Sequence, residues 1–304
     1  MPITARERFE HAVEVVQEDL EADSHVLAAI LCGSLSYDEV WDKSDIDLVV
    51  ITTDEKKQLH EAICLTAEDV NIHTSLIPRN QFKRTLDAAH RNSFQHSVYA
   101  RSKLLFSKDP SIDRMYDDID QLGKHDLQIR MMNDAQFTIM QLYKAKKWHL
   151  IKDDPHYTAN WILNTAGALA NVVVSQAGRL VDREALVEAT KIKPDLFKLV
   201  YTDLFDKKVS HAALSRAIEA IDNYLEPLAE ELFEPVIDYL RGAGGEPRSS
   251  TELETHFERN YDLHHVVTAC EWLSDLGIIE KASIHTKLTL FSQNEVEELA
   301  FFVV

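Results

Sequence analysis

The apolar positions of the first eighty residues change period several times. Phe9, Ala12, Val13 and Val16 follow Thr4 at helical spacing, which predicts a helix capped by that threonine. Val26–Cys32 is an apolar run that stops at Gly33, as a buried strand does, and Asp45–Ile51 is a second such run. Ser34–Trp41 between them reads as a turn or short helix. Asp54–Ala67 sets Leu59 and Ile63 at helical spacing, and Val70–Ile77 is a third strand, stopped by Pro78. Short strands separated by helices predict an α/β domain with a mixed or parallel sheet over residues 1–115.

From about Tyr116 the helical period takes over. Asp126–Leu150, Thr158–Ala177, Arg183–Thr190, Pro194–Phe205 and Ser210–Leu228 are predicted helices, with Asp153-Asp154-Pro155 and Gly178 as breakers. Residues 116–228 therefore form an all-α bundle. Beyond it, a helix over Glu230–Arg241 leads into the linker-like stretch Gly242–Pro247. Two more helices follow, Ser250–Phe257 and Asp262–Leu276, and Ile278–Glu280 with Lys287–Phe291 read as a two-stranded wing. Three helices and a β-ribbon make residues 229–304 a small winged-helix-like domain.

Composition narrows the function. A chain of 304 residues, 45% hydrophobic and 27% charged, is that of a soluble globular protein with more than one core. Its 32 basic and 51 acidic residues give a net charge of −19, which repels phosphate backbones and argues against nucleic acid as a partner. The tail sharpens this: residues 228–304 hold 15 acidic against 5 basic side chains, and His264–Leu276, in the place of a recognition helix, has no Lys or Arg. A winged-helix shape of that charge is expected to pack on another domain or on a second copy of the chain, a homodimer. Phe301, Phe302, Val303 and Val304 are expected to dock rather than stay exposed. Cys32, Cys64 and Cys270 are scattered and form no CxxC pair, as in a reducing compartment. No run of 18 apolar residues occurs and the first residues are charged throughout, so a cytoplasmic protein without a membrane partner is expected.

One stretch carries chemistry: Leu31-Cys32-Gly33-Ser34, ten residues, then Asp45-Ile46-Asp47-Leu48-Val49-Val50. Gly33 ends a strand and permits a sharp turn with close access for a ligand. Ser34 stands where a helix begins, and free N–H groups with a hydroxyl can hold phosphate oxygens there. Asp45 and Asp47 lie two apart on a strand, so both carboxylates leave the same face. Two such charges repel unless a cation lies between them, and Mg2+ held by one or two carboxylates plus substrate phosphates is the usual arrangement.

These residues resemble the nucleotidyltransferase superfamily related to DNA polymerase β, whose pattern is an apolar residue, Gly, Gly or Ser, about ten residues, then Asp-apolar-Asp. Such a domain followed by a helical bundle is most similar to the aminoglycoside (kanamycin- or streptomycin-type) adenylyltransferases. The resemblance implies an α/β nucleotidyltransferase domain with a mixed sheet. It also implies transfer of a nucleoside monophosphate, AMP from ATP, to a hydroxyl of a small-molecule acceptor. By the same resemblance Gly33 and Ser34 hold the β- and γ-phosphates, and Asp45 and Asp47 hold the metal.

The pattern also calls for a third Asp or Glu in the next strand, and there the count falls on His73, with Asn71 and Asp69 as its neighbours of equal parity. Three readings stand side by side: Asp69 as the third metal ligand through a shifted register, His73 as general base, or a site that binds nucleotide without turnover, a sensor or scaffold. A DNA-binding regulator built on the tail is a further alternative. Lys43, just before Asp45, and Lys144 and Lys147, in a basic cluster with Lys146, are candidates for triphosphate contacts. Asp153 and Asp154 read as loop formers, and the 14 histidines show no HExxH or finger spacing.

Overall fold

A computed structural model describes residues 4–37, 40–41, 43–54, 59–90, 98–118 and 124–303, with backbone alone for 34, 37, 88–90, 124 and 125. The chain divides into two compact units, Met1–Gly123 and Lys124–Val304.

The first unit opens with helix α1 (Ala5–Ala22). Thr4 and Glu7 cap it reciprocally: the threonine hydroxyl accepts from the Glu7 N–H, and the Glu7 carboxylate accepts from the Thr4 N–H at 2.8 Å. Strands β1 (Val26–Cys32), β2 (Ile46–Thr52), β3 (Ala62–Ala67), β4 (Val70–Pro78) and β5 (Lys103–Ser107) form one sheet in the order β3-β4-β2-β1-β5. β2 and β4 are parallel, and the other pairs are antiparallel, so the sheet is mixed. Helix α2 (Arg79–His90) leaves directly from β4, and α3 (Pro110–Asp117) follows β5.

Burial explains the two kinds of strand. β1 and β2 are apolar at both parities because both faces are covered. On one side Phe9, Ala12, Val13 and Val16 of α1 pack on Ala29, Leu31, Leu48, Val50 and Ile72. On the other, Phe82 and Leu86 of α2 and Ile112 of α3 pack on Ala28, Ile30, Cys32, Val49 and Ile51. β4 instead alternates: Val70, Ile72 and Thr74 are buried, while Asn71, His73 and Ser75 are exposed. So α2 covers this face over the second half of β2 and β4, and among the described residues of this unit no helix covers their first halves, beside Asp45, Asp47 and His73.

Asp54–Ala67 departs from expectation. Residues 55–58 lie outside the described residues, but 62–67 are β3, a strand paired with β4 across a two-residue turn in which Glu68 (φ 50°) and Asp69 (φ 58°) are left-handed. Such a turn matches the twist of a hairpin. The spacing of Leu59 and Ile63 misleads because neither serves a core: they are 86% and 39% exposed.

The second unit is mostly helical. Helix α4 (Lys124–Lys147) runs into a π-helical turn, Trp148–Lys152, and α5 (Pro155–Gln176) returns alongside it. α5 is the apolar run beginning at Trp161, and it is wrapped on most sides, burying Ile162, Leu169 and Val173 among others. Helices α6 (Ala185–Ile192), α7 (His211–Leu225), α8 (Glu234–Arg241), α9 (Ser250–Tyr261) and α10 (Val266–Asp275) follow, with short helical turns between α6 and α7 and between α7 and α8. β6 (Arg248–Ser249), β7 (Glu280–Thr286) and β8 (Val296–Phe302) pair antiparallel in the order β6-β8-β7. Lys287–Phe291, expected as a wing strand, connects β7 to β8, leaving Leu290 95% and Phe291 88% exposed. Phe301 is fully buried, as expected of the apolar terminus. One core runs from Ile129 and Leu142 through Leu169 and Phe233 to Trp272 and Phe301, so the helices expected as a bundle and those expected as a tail module share it. Among the described residues no helix is long and apolar enough to cross a membrane.

Candidate active site

The site forms where β1 ends and β2 begins. Gly33 follows β1 with φ +75°, a left-handed backbone that an L side chain rarely adopts. A second requirement reinforces it: a Cβ at position 33 stands 2.6 Å from Oδ2 of Asp47. The glycine is therefore the floor on which the Asp47 carboxylate rests. Its carbonyl oxygen accepts from the Ser36 N–H (3.1 Å) and hydroxyl (2.6 Å), which fastens the 3-10 turn Ser34–Tyr37. Nothing in the sequence pattern had singled out Ser36. A serine two places beyond the Gly-Ser pair is the signal that was available. For Ser34 only the backbone is described, at the start of that turn.

Pairing fixes the rest. Asp47 stands opposite Cys32 on β1 and opposite His73 on β4, and His73 stands opposite Cys64 on β3. Residues directly opposite share a face, so these four side chains form one row across the sheet. Burial, and secondly the charge of Asp47, push the Cys32 thiol up to about 12. Asp45 precedes β2 by one residue, and its Oδ2 lies 3.4 Å from Nε2 of His73, both side chains being more than half exposed. A contact this exposed adds little stability and serves to orient the two groups.

His73 is thus the residue that the parallel register sets beside Asp47, as the sequence count indicated. Asp69 is not: it sits in the left-handed turn before β4, four residues from His73 and roughly 13 Å away along a strand rising 3.3 Å per residue. The register is unshifted from Ile46↔Ile72 to Thr52↔Pro78, which removes the slip that Asp69 needed as a metal ligand. Lys43 is exposed in the turn before β2, where Ser44 N–H donates to the Trp41 carbonyl at 2.9 Å. Lys144 and Lys147 belong to α4 in the second unit and are exposed there, while Lys146 pairs with Asp222 at 2.8 Å.

The donors that would meet a divalent cation here are the carboxylates of Asp45 and Asp47. Carboxylates two apart on one face, over a glycine whose missing Cβ leaves room, suit such an ion. Among the described residues no group of three His, Cys, Asp or Glu side chains is already drawn together as a metal cage. Oδ2 of Asp47 lies against Gly33, and Oδ2 of Asp45 lies beside His73.

A glycine-turn, two carboxylates on the strand that follows and a mixed sheet define a class, and the comparisons agree with it. Residues 14–111 match the family described as Polymerase beta, Nucleotidyltransferase, so the first unit is a domain of the nucleotidyltransferase superfamily. A nucleotidyltransferase-like protein from Exiguobacterium sibiricum has a similar fold, with a TM-score of 0.68 and 14% identity over 97% of this chain and 99% of that one. No curated protein matches the chain.

Proposed function

We propose that the chain is a metal-dependent nucleotidyltransferase moving a nucleoside monophosphate, AMP from ATP, to a hydroxyl of a small acceptor. The observation that carries this is the convergence of Gly33 and Asp47, with Asp45 one strand position pair away on the same face. Asp45 and Asp47 would hold Mg2+, which when bound neutralises triphosphate charge and the charge that develops on attacking and leaving oxygens. The turn beginning at Gly33-Ser34 offers backbone N–H groups to the phosphates, with Lys43 as a further cation for them. His73, facing Asp45, takes the proton of the acceptor hydroxyl through Nε2 in this reading. The free thiols suit a reducing cytoplasm.

In the tail, the order helix, strand, helix, helix, strand, strand supports a winged-helix reading. α10 carries no Lys or Arg, which speaks for packing, on this chain or a second copy, over DNA contact. The test of the main reading is incubation with labelled ATP, Mg2+ and a pool of hydroxyl metabolites. Pyrophosphate release that disappears in Asp47→Asn is expected, and its absence with every pool removes the enzymatic reading.

One observation favours a second reading, a nucleotide sensor: an imidazole stands where the family resemblance calls for a carboxylate. His73→Asp separates the two. It lowers turnover if His73 is the base, and it creates or raises turnover if the native site only binds nucleotide.

A further inference from the structure

The second unit holds a cavity of about 530 Å³ between α5, α6 and the end of α7, inside the size range of small-molecule sites. Val173 and Leu228 supply apolar wall, and Gln176, Lys193, Asn223 and Tyr224 supply its polar groups. Among the described residues no Asp or Glu lines it, in a chain whose net charge is −19. Lys193 and the Gln176 amide are left as donors. The Tyr224 hydroxyl donates to Oε1 of Gln176 at 2.6 Å, which fixes the amide so that its NH2 is left to donate elsewhere. Among the described residues Gln176 has no other hydrogen-bond partner and Asn223 has none. The Lys193 ammonium lies 5.7 Å from the centre of the Tyr224 ring and forms no ion pair with a described residue. That ring contact draws the flexible lysine toward the cavity rather than toward the acidic surface.

We propose that this cavity is a binding site for a small amphipathic anion: a carboxylate head on Lys193 and the amide donors, and a flat apolar body against Val173 and Leu228. An anion gains a charge-assisted hydrogen bond there, and a neutral isostere does not. The site lies wholly within the second unit and does not rest on the nucleotidyl-transfer reading.

The test uses the full chain and two probes of one shape, 2-naphthoate and 2-naphthamide, followed by calorimetry or by chemical-shift changes. The expected result is saturable 1:1 binding of the acid, about tenfold tighter than the amide. Lys193→Gln should bring the two probes within about twofold of each other, and Lys193→Arg should keep the preference. Lys193 is exposed, so these variants fold. No saturable binding of 2-naphthoate at millimolar concentration overturns the proposal. So does equal affinity for acid and amide, or a preference that survives Lys193→Gln.

Discussion

Two pairs of aspartates show how differently one residue type is used in the two units. Asp153 and Asp154 stand between α4 and α5, where both shape the passage from one helix to the next. Asp153 takes a left-handed conformation (φ 53°) that ends the π-helical turn, with His211 Nε2 3.4 Å from its carboxylate. Asp154 is the N-cap of α5, its Oδ1 accepting from the Tyr157 N–H at 2.9 Å, and Pro155 fills the first helical position. Asp45 and Asp47 stand at the start of β2 instead. Asp47 rests over a glycine and Asp45 faces a histidine, on a half-face of the sheet that no described helix of the first unit covers. A carboxylate whose lone pairs complete a helix end is accounted for by folding. A pair at the start of a strand is, on the proposed function, accounted for by what it binds.

Substitutions can break that contrast. The largest effect is expected for Asp47→Asn, which should reduce Mg2+-dependent nucleotide turnover or binding by on the order of 100-fold while moving stability by less than about 1 kcal/mol. Equal activity of Asp47→Asn and wild type would return this pair to the structural kind. Gly33→Ala should do both kinds of damage. Its Cβ meets Oδ2 of Asp47 and its backbone is left-handed, so nucleotide binding should fall together with about 1–2 kcal/mol of stability, read by denaturant titration. Asp154→Ala should cost about 1 kcal/mol through the lost cap and leave nucleotide binding unchanged. Measured in parallel, these three variants place the two pairs on separate axes.

The smallest expected effect concerns a third kind of aspartate, Asp109. It accepts from the Arg79 guanidinium and from the Ser111 N–H at the start of α3, and these bonds hold its pKa at about 2. Its folded pKa is depressed, so the stabilisation is present above the ordinary carboxylate range near pH 4 and is lost as pH falls from there toward 2. Asp109→Asn should flatten that acid limb of the stability profile, measured by thermal melts between pH 2 and 5.

Much of this was legible in the sequence, and the misses have physical causes. β1 and β2 announce themselves because strands buried on both faces must be apolar at every position. The motif residues were found by type and spacing, and counting from Pro78 gave His73 its place because the β2–β4 register has no bulge. β3 was misread since an edge strand that is largely exposed leaves no periodic trace, and β5 escaped notice with all of its residues only partly covered or exposed. The wing strands were placed too early because Leu288, Leu290 and Phe291 are apolar yet belong to the connection. The contact of Asp45 with His73 links residues 28 positions apart, and the pairing of β2 with β4 brings them together.

The row of side chains across the first sheet also sets how the three thiols meet reagents. Cys32 and Cys270 are buried and held protonated, so alkylating agents should pass them by, whereas Cys64 is exposed. Cys64 stands directly across from His73 on the same face. A maleimide dye added to the native protein should therefore settle at one position, a strand's width from that imidazole. Occupancy of the carboxylate site could then be followed as a change in emission, without redesigning any other cysteine.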